Sequence, residues 1–312
     1  MHRTTKRIPL VCSLLALSAA LLVPPGGLLS DPLIIVRAMS ATTIAEVYVE
    51  PDSVVVELEI GLADLDAFRN LMPDRIYERL GHESEPMGER LARFFRHDLR
   101  IATPRGGALP GRIAELTARP RLQRDEITGE ALPVQDEEAE PTVFARLVYD
   151  LPEGVPPEAL VLSPPSVEGA GAAANVGFVL YHRGVPVNDF RYLGRPETLR
   201  LDWSDPFYSR FENRNLRRQY YTPISAYLYV EPYEVRREIV VRPKDLQRWV
   251  DLGLEGEEVI TLAVQDEVKA RAAGFLAAHG SVRIDGRRAE GKLDRINFIY
   301  RTLRTSGVID PP

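Results

Sequence analysis

Cysteine is almost missing from this chain: Cys12 is the one example among 312 residues. It lies inside an apolar stretch near the start. If that stretch is removed, the mature chain has no disulfide, no thiol nucleophile and no cysteine-based metal site. Its stability then rests on packing alone. Histidine is scarce too. The five are His2, His82, His97, His182 and His279, and none after His2 lies near another at metal-ligand spacing. There is no Gly-x-Ser-x-Gly elbow, no P-loop and no His-Glu-x-x-His. Carboxylates are plentiful, but no pair stands apart as an acid–base dyad. No cofactor is implied. The formal net charge is −6, which gives no long-range attraction to nucleic acid or to anionic lipid.

What is present begins with an export signal. His2, Arg3 and Lys6 form a basic start, and Ile8 to Val23 then runs without a charge until Pro24-Pro25-Gly26-Gly27. That order defines a secretory signal. The run is shorter than the roughly 20 apolar residues of a spanning helix. Two small-x-small sites compete for cleavage, Ser18-Ala19-Ala20 and Ala38-Met39-Ser40. The second comes after another apolar patch, Leu33 to Val36. Residues 1–40 therefore read as a signal peptide or a signal anchor, and the folded part as periplasmic or otherwise extracytoplasmic.

An internal repeat comes next. Tyr48-Val49-Glu50-Pro51 recurs as Tyr229-Val230-Glu231-Pro232, and the same 181-residue offset aligns Val54 with Val235, Glu57 with Glu238, Asp64 with Asp245 and Leu65 with Leu246. Eight of the 21 positions from Tyr48 to Phe68 are identical. The two copies span 43–120 and 224–304. In each, a strand (Ile44 to Val49, Ile224 to Val230) meets a Glu-Pro turn, because proline fixes φ and cannot donate to a ladder. A β-branched second strand comes after it, Val54 to Ile60 and Val235 to Val241. Asp64 and Asp245 stand where a helix N-cap belongs. Leu65, Phe68 and Leu71, then Leu246, Trp249 and Val250, continue at helical spacing. A second helix is expected over Met87 to Phe95 in one copy and Val264 to Ala278 in the other. A strand pair closes each unit, clearest as Gly280 to Ile284, a turn at Asp285-Gly286, and Leu293 to Tyr300. Glu57 and Glu238 read as structural carboxylates that pair with a nearby arginine.

This order of a strand, a Glu-Pro turn, a Val-x-x-Glu strand, an Asp-Leu helix start and a Leu99-Arg100-Ile101 strand resembles the extracytoplasmic N-terminal region of bacterial membrane proteins of the hydrogenase/urease accessory (HupE/UreJ-like) class. The resemblance covers the repeat units only. In that class the region precedes a multi-helix membrane domain, and the chain has neither that domain nor its His/Asp-rich motif. The nickel-related role of the class is therefore carried onto no residue.

Between the copies, 121–140 is an acidic, proline-bearing linker whose carboxylates Asp136, Glu137, Glu138 and Glu140 fit no calcium loop. Residues 141–205 carry short strands, Val143 to Leu151, Ala159 to Leu162, Val176 to His182 and Thr198 to Trp203, with the turn signals of a β-sandwich. This middle is small for a complete sandwich, and sharing a sheet with a repeat is an option. Gly169-x-Gly171 lacks the strand-before, helix-after context of a dinucleotide fingerprint and reads as a hairpin loop. The 206–223 connector interleaves rings and cations. Phe207, Tyr208, Arg210, Phe211, Arg214, Arg217 and Arg218 form a candidate interaction surface, since aromatics and arginine dominate interface hot spots. The alternative is a connector whose rings pack between the middle and the second repeat. Residues 305–312 are a tail.

The expected fold is thus α+β, with two copies of a small hairpin/helix/helix/hairpin module flanking a β-sandwich-like middle. The expected role is that of an exported, non-enzymatic binding or structural module of the bacterial cell envelope, with an envelope or membrane protein as partner. One alternative is a soluble component docking a membrane transport or assembly system. Another is a hydrolase whose site gathers distant residues around His97, His182 or His279.

Overall fold

The computed structural model describes residues 37–125, 132, 139–167, 169, 171–218, 222–254, 259–301 and 306–308. The apolar start, the carboxylates 136–138, Tyr220, Tyr221 and the last four residues lie outside the described residues.

After a short turn at Arg37–Ser40, β1 (Thr43–Val49) and β2 (Ser53–Gly61) form a hairpin. Short helical turns lead to α1 (Asp74–Arg79) and α2 (Met87–Arg93), and α2 runs into a π-helical turn at Phe94–Asp98. Next in order are β3 (Arg100–Ala102), β4 (Gly111–Pro120), β5 (Pro141–Asp150) and β6 (Ala159–Ser163). The two-residue strands β7 (Ser166–Val167) and β8 (Gly171–Ala172) pair around Gly169, as a hairpin loop requires. Then come β9 (Val176–His182), the short β10 (Val185–Pro186) and β11 (Arg191–Tyr192), β12 (Glu197–Arg200) and β13 (Arg210–Phe211). The second half holds β14 (Ile224–Val230), β15 (Val235–Val241), α3 (Pro243–Leu246) and α4 (Leu262–His279). It ends on two small hairpins, β16 (Val282–Ile284) with β17 (Arg287–Ala289), and β18 (Ile299–Arg301) with β19 (Ser306–Val308). The protein is α+β.

Two sheets organise the first two-thirds. The larger runs β10-β9-β1-β2-β5-β4, with β11 also on β9. Its β1–β9 pair is parallel and its other pairs are antiparallel. The smaller runs β13-β12-β6-β3. Residues 43–120 and 141–205 thus share one sheet, and they share one core as well. Val47, Val54, Val56 and Leu58 of the first stretch cluster with Leu147, Leu160, Leu180 and Leu199 of the other. The acidic segment between them divides the sequence and leaves the core undivided. Phe178 of β9 and Phe211 of β13, both fully buried, meet edge to face at 5.6 Å and tie the larger sheet to the smaller one. The Arg37–Ser40 turn lies against β9 so closely that a Cβ on Gly177 would overlap the Ala38 carbonyl.

The two matched hairpins share one register. β1–β2 pairs Thr43 with Ile60 and Val49 with Val54, and β14–β15 pairs Ile224 with Val241 and Val230 with Val235, the same register under the 181-residue offset. The bonds Glu50 N–H to Ser53 and Gly61 N–H to Thr42 recur as Glu231 N–H to Glu234 and Arg242 N–H to Pro223. Ala67 N–H to Asp64 and Phe68 N–H to Leu65 recur as Arg248 N–H to Asp245 and Trp249 N–H to Leu246. Beyond this turn the copies part. The first continues with two short helices and sends β3 and β4 to different sheets. The second has the 18-residue α4 over its own small core of Leu246, Leu252, Leu254, Val268 and Ala272.

Two expectations are corrected. Asp64 and Asp245 cap no helix, since each lies inside the turn it was expected to begin. Asp64 accepts the Thr43 hydroxyl at 2.7 Å, and Asp245 accepts the Tyr208 hydroxyl. The partner of Val282–Ile284 is Arg287–Ala289 rather than Leu293 to Tyr300. Asp285 and Gly286 both have positive φ, 49° and 77°, so the loop closes in two residues and the next residues must pair.

Candidate functional site

The connector is built as a brace. Asp205 caps its own turn by accepting the Phe207 N–H at 3.2 Å. The same carboxylate takes Arg242 at 3.0 Å and Lys244 at 3.6 Å, both from the start of α3. Arg242 lies over the Phe207 ring at 3.9 Å and 3.3 Å from Asp245. Tyr208 donates to that same Asp245, and burial together with this acceptor pushes the Tyr208 hydroxyl up. Arg218 lies over Phe207 at 4.0 Å and donates to the Pro186 carbonyl at 2.7 Å. Arg217 bonds the Phe211 and Glu212 carbonyls at 2.9 and 3.2 Å. Phe207, Tyr208, Phe211, Arg217 and Arg218 therefore all make internal contacts. Arg210 and Arg214 are exposed. The arrangement joins β13 to the second hairpin.

The histidines are placed differently from one another. His182 is fully buried at the end of β9, with Nδ1 2.7 Å from the Ser209 Oγ and its ring edge-on to Trp203 at 4.4 Å. Burial, with Arg183 adding to it, lowers its pKa to about 4, against the opposing pull of Asp202. The ring is therefore neutral near pH 7. Ser209 Oγ also accepts the Asp202 N–H at 2.9 Å, so the hydroxyl is spent on holding the loop. His97 lines an open surface depression with Glu89, Arg93 and Arg96. His279 stacks on Phe275, its Nδ1 2.9 Å from that residue's carbonyl oxygen. Among the described residues none of the three hydrogen-bonds a carboxylate. No group of three His, Cys, Asp or Glu among the described residues is placed to hold a metal ion. None of the described helices is long and apolar enough to cross a membrane.

Sequence reasoning missed the buried arginine. Arg90 of α2 is fully enclosed. It donates to the Met72 carbonyl at 2.7 Å and the Glu85 carbonyl at 3.1 Å, pairs with Asp74, and lies over Tyr77 at 4.3 Å. Its position one residue before the core-facing Leu91 gave no sign of this.

The matched hairpins differ most in what covers them. Val47 and Val49 are 3% and 0% exposed, whereas their counterparts Leu228 and Val230 are 56% and 72% exposed. Glu57 meets Arg146 of β5 at 3.7 Å. Glu238 faces Tyr227 across the β14–β15 pair and has no cationic partner among the described residues. No protein-family model, curated protein sequence or solved structure matches the chain.

Proposed function

We propose that this chain is an exported, non-enzymatic binding or structural module of the bacterial cell envelope. The order of segments at the N-terminus carries the reading: a basic start, sixteen uncharged residues, then a body in which Ala38 is already buried. Ala38 and Ala41 form a cluster with Ile44, Val179 and Phe190. A cut after Ser40 would remove packed residues, which favours processing at Ser18–Ala20 or retention of the start as a tether. The non-enzymatic part is supported by Ser209, whose hydroxyl is spent on His182 and the Asp202 N–H.

A second reading, a soluble component that docks a membrane transport or assembly system, is favoured by the exposed Leu228, Val230, Tyr233 and Trp249. Fractionation of the full chain carrying a C-terminal tag in a Gram-negative host tests the first reading. The expected product is protease-accessible in spheroplasts, with its N-terminus upstream of Ala38. A full-length cytoplasmic product would overturn it.

A further inference from the structure

β2 and β15 are the same strand in two settings. Antiparallel pairs alternate between bonding inward and outward along each strand. The bonds Arg242 N–H to Pro223 and Glu231 N–H to Glu234 fix the phase of the second hairpin. Arg236, Glu238 and Val240 therefore bond to β14, and the N–H groups of Val235, Arg237, Ile239 and Val241 point outward. In the first hairpin the equivalent groups belong to Val54, Val56, Leu58 and Ile60, and β5 takes them in an antiparallel pair with Tyr149, Leu147, Ala145 and Val143 opposite. No described strand pairs with the outer edge of β15.

Three features mark that hairpin as unfinished. Natural edge strands are blunted by proline, bulges, short length or charged side chains. The long free edge of the larger sheet obeys that rule: β4 has a register break between Ile113 and Glu115 and ends on Pro120. β15 has neither proline nor bulge, and its seven residues pair with β14 without interruption, so the charges of Arg236, Arg237 and Glu238 are all that blunts it. The residues matched to buried Val47, Val49 and Phe68 are the exposed Leu228, Val230 and Trp249. Glu238, matched to Glu57, lacks the cation that β5 supplies through Arg146.

We propose that the outer edge of β15 is a strand-acceptor site, which takes an extended segment of a partner protein antiparallel to Val235–Val241, with a basic residue opposite Glu238. Main-chain bonds would supply the affinity, while the alternation and the basic residue would supply the choice of partner, as in other strand additions. This surface deepens the binding role proposed above but rests on the repeat geometry, so its failure would leave the export reading standing.

The chain contains its own probe. A synthetic peptide of residues 141–150, PTVFARLVYD, reproduces the strand that covers β2. Added to the full chain, it is expected to bind one to one and to slow amide exchange at Val235, Arg237, Ile239 and Val241. N-methylation at Ala145 and Leu147 of the peptide removes N–H groups facing the acceptor and should abolish binding. Glu238→Arg, at an exposed position, should weaken the peptide about fivefold, and a peptide with Arg146→Glu should restore it. Equal binding of the N-methylated peptide would overturn the proposal. So would a lack of protection on β15, or an edge already protected in a dimer of the chain alone.

Discussion

Glu57 and Glu238 occupy the same place in two hairpins of identical register, and among the described residues only Glu57 has an arginine, 3.7 Å away on β5. The difference lies in the neighbouring strand, since no described strand stands beside β15 as β5 stands beside β2. The same sequence pattern is therefore a core element in one copy and a surface element in the other. One hairpin is buried in the core, and in the other no described strand pairs with the outer edge of β15.

The edge-to-face pair of Phe178 and Phe211 joins the two sheets. Phe211→Ala leaves a cavity between them and is expected to lower the unfolding free energy by about 3–5 kcal/mol, read from urea denaturation. A loss under about 1 kcal/mol, well below that range, would mean that the smaller sheet does not depend on this contact.

Arg90 is enclosed by two carbonyls, Asp74 and the Tyr77 ring. Arg90→Lys keeps the charge but cannot span both carbonyls from a fork. It should cost at least about 1–3 kcal/mol, the penalty of one buried acceptor left without a partner. A stability equal to that of the parent chain would show that the fork is dispensable.

His182 carries a pH dependence. Its folded pKa of about 4 lies below the usual 6.5 of an exposed histidine. The unfolded chain therefore binds the extra proton first. The stabilisation from the neutral buried ring is complete above about pH 6.5 and is lost as pH falls toward 4, up to about 3 kcal/mol in all. Denaturation at about pH 7 and about pH 4.5, on either side of that window, should show a larger drop for the parent chain than for His182→Gln. Equal drops would place the acid sensitivity elsewhere.

The brace between β13 and the second hairpin predicts a local effect. Tyr208→Phe removes the donor to Asp245. Amides of α3 and the turn after it should exchange faster, with those of β1, β2 and β9 unchanged. A uniform increase across all of these would mean that the brace is part of the global folding unit.

Much of this fold was legible from local pattern. The bounds of Val176–His182 and Val235–Val241 come from β-branched runs between turn residues, and the 181-residue offset predicts a shared register. The larger sheet was not legible in the same way. Its β1–β9 pair joins distant segments of the chain in parallel, and no local signal encodes such a pairing. The acidic stretch 121–140 reads as a boundary, yet β4 and β5 on either side of it are neighbours. The connector residues Phe207, Tyr208 and Phe211 have the composition of an interface, and each makes a contact within the chain. Composition identifies the chemistry of contact and says nothing about which side of the contact lies inside. Phe94 and Phe95 both enter the core through the π-helical turn at the end of α2, a departure that an ideal helical wheel does not anticipate.

The matched hairpins are covered in one copy and open in the other, and residue-resolved hydrogen exchange on the isolated full chain tests this directly. Slow exchange is expected at Val54, Val56, Leu58 and Ile60, near the limit set by global unfolding, and fast exchange at Val235, Arg237, Ile239 and Val241. Comparable protection at the two sets of amides would show that both hairpins are covered, or neither, and the asymmetry between them would be refuted.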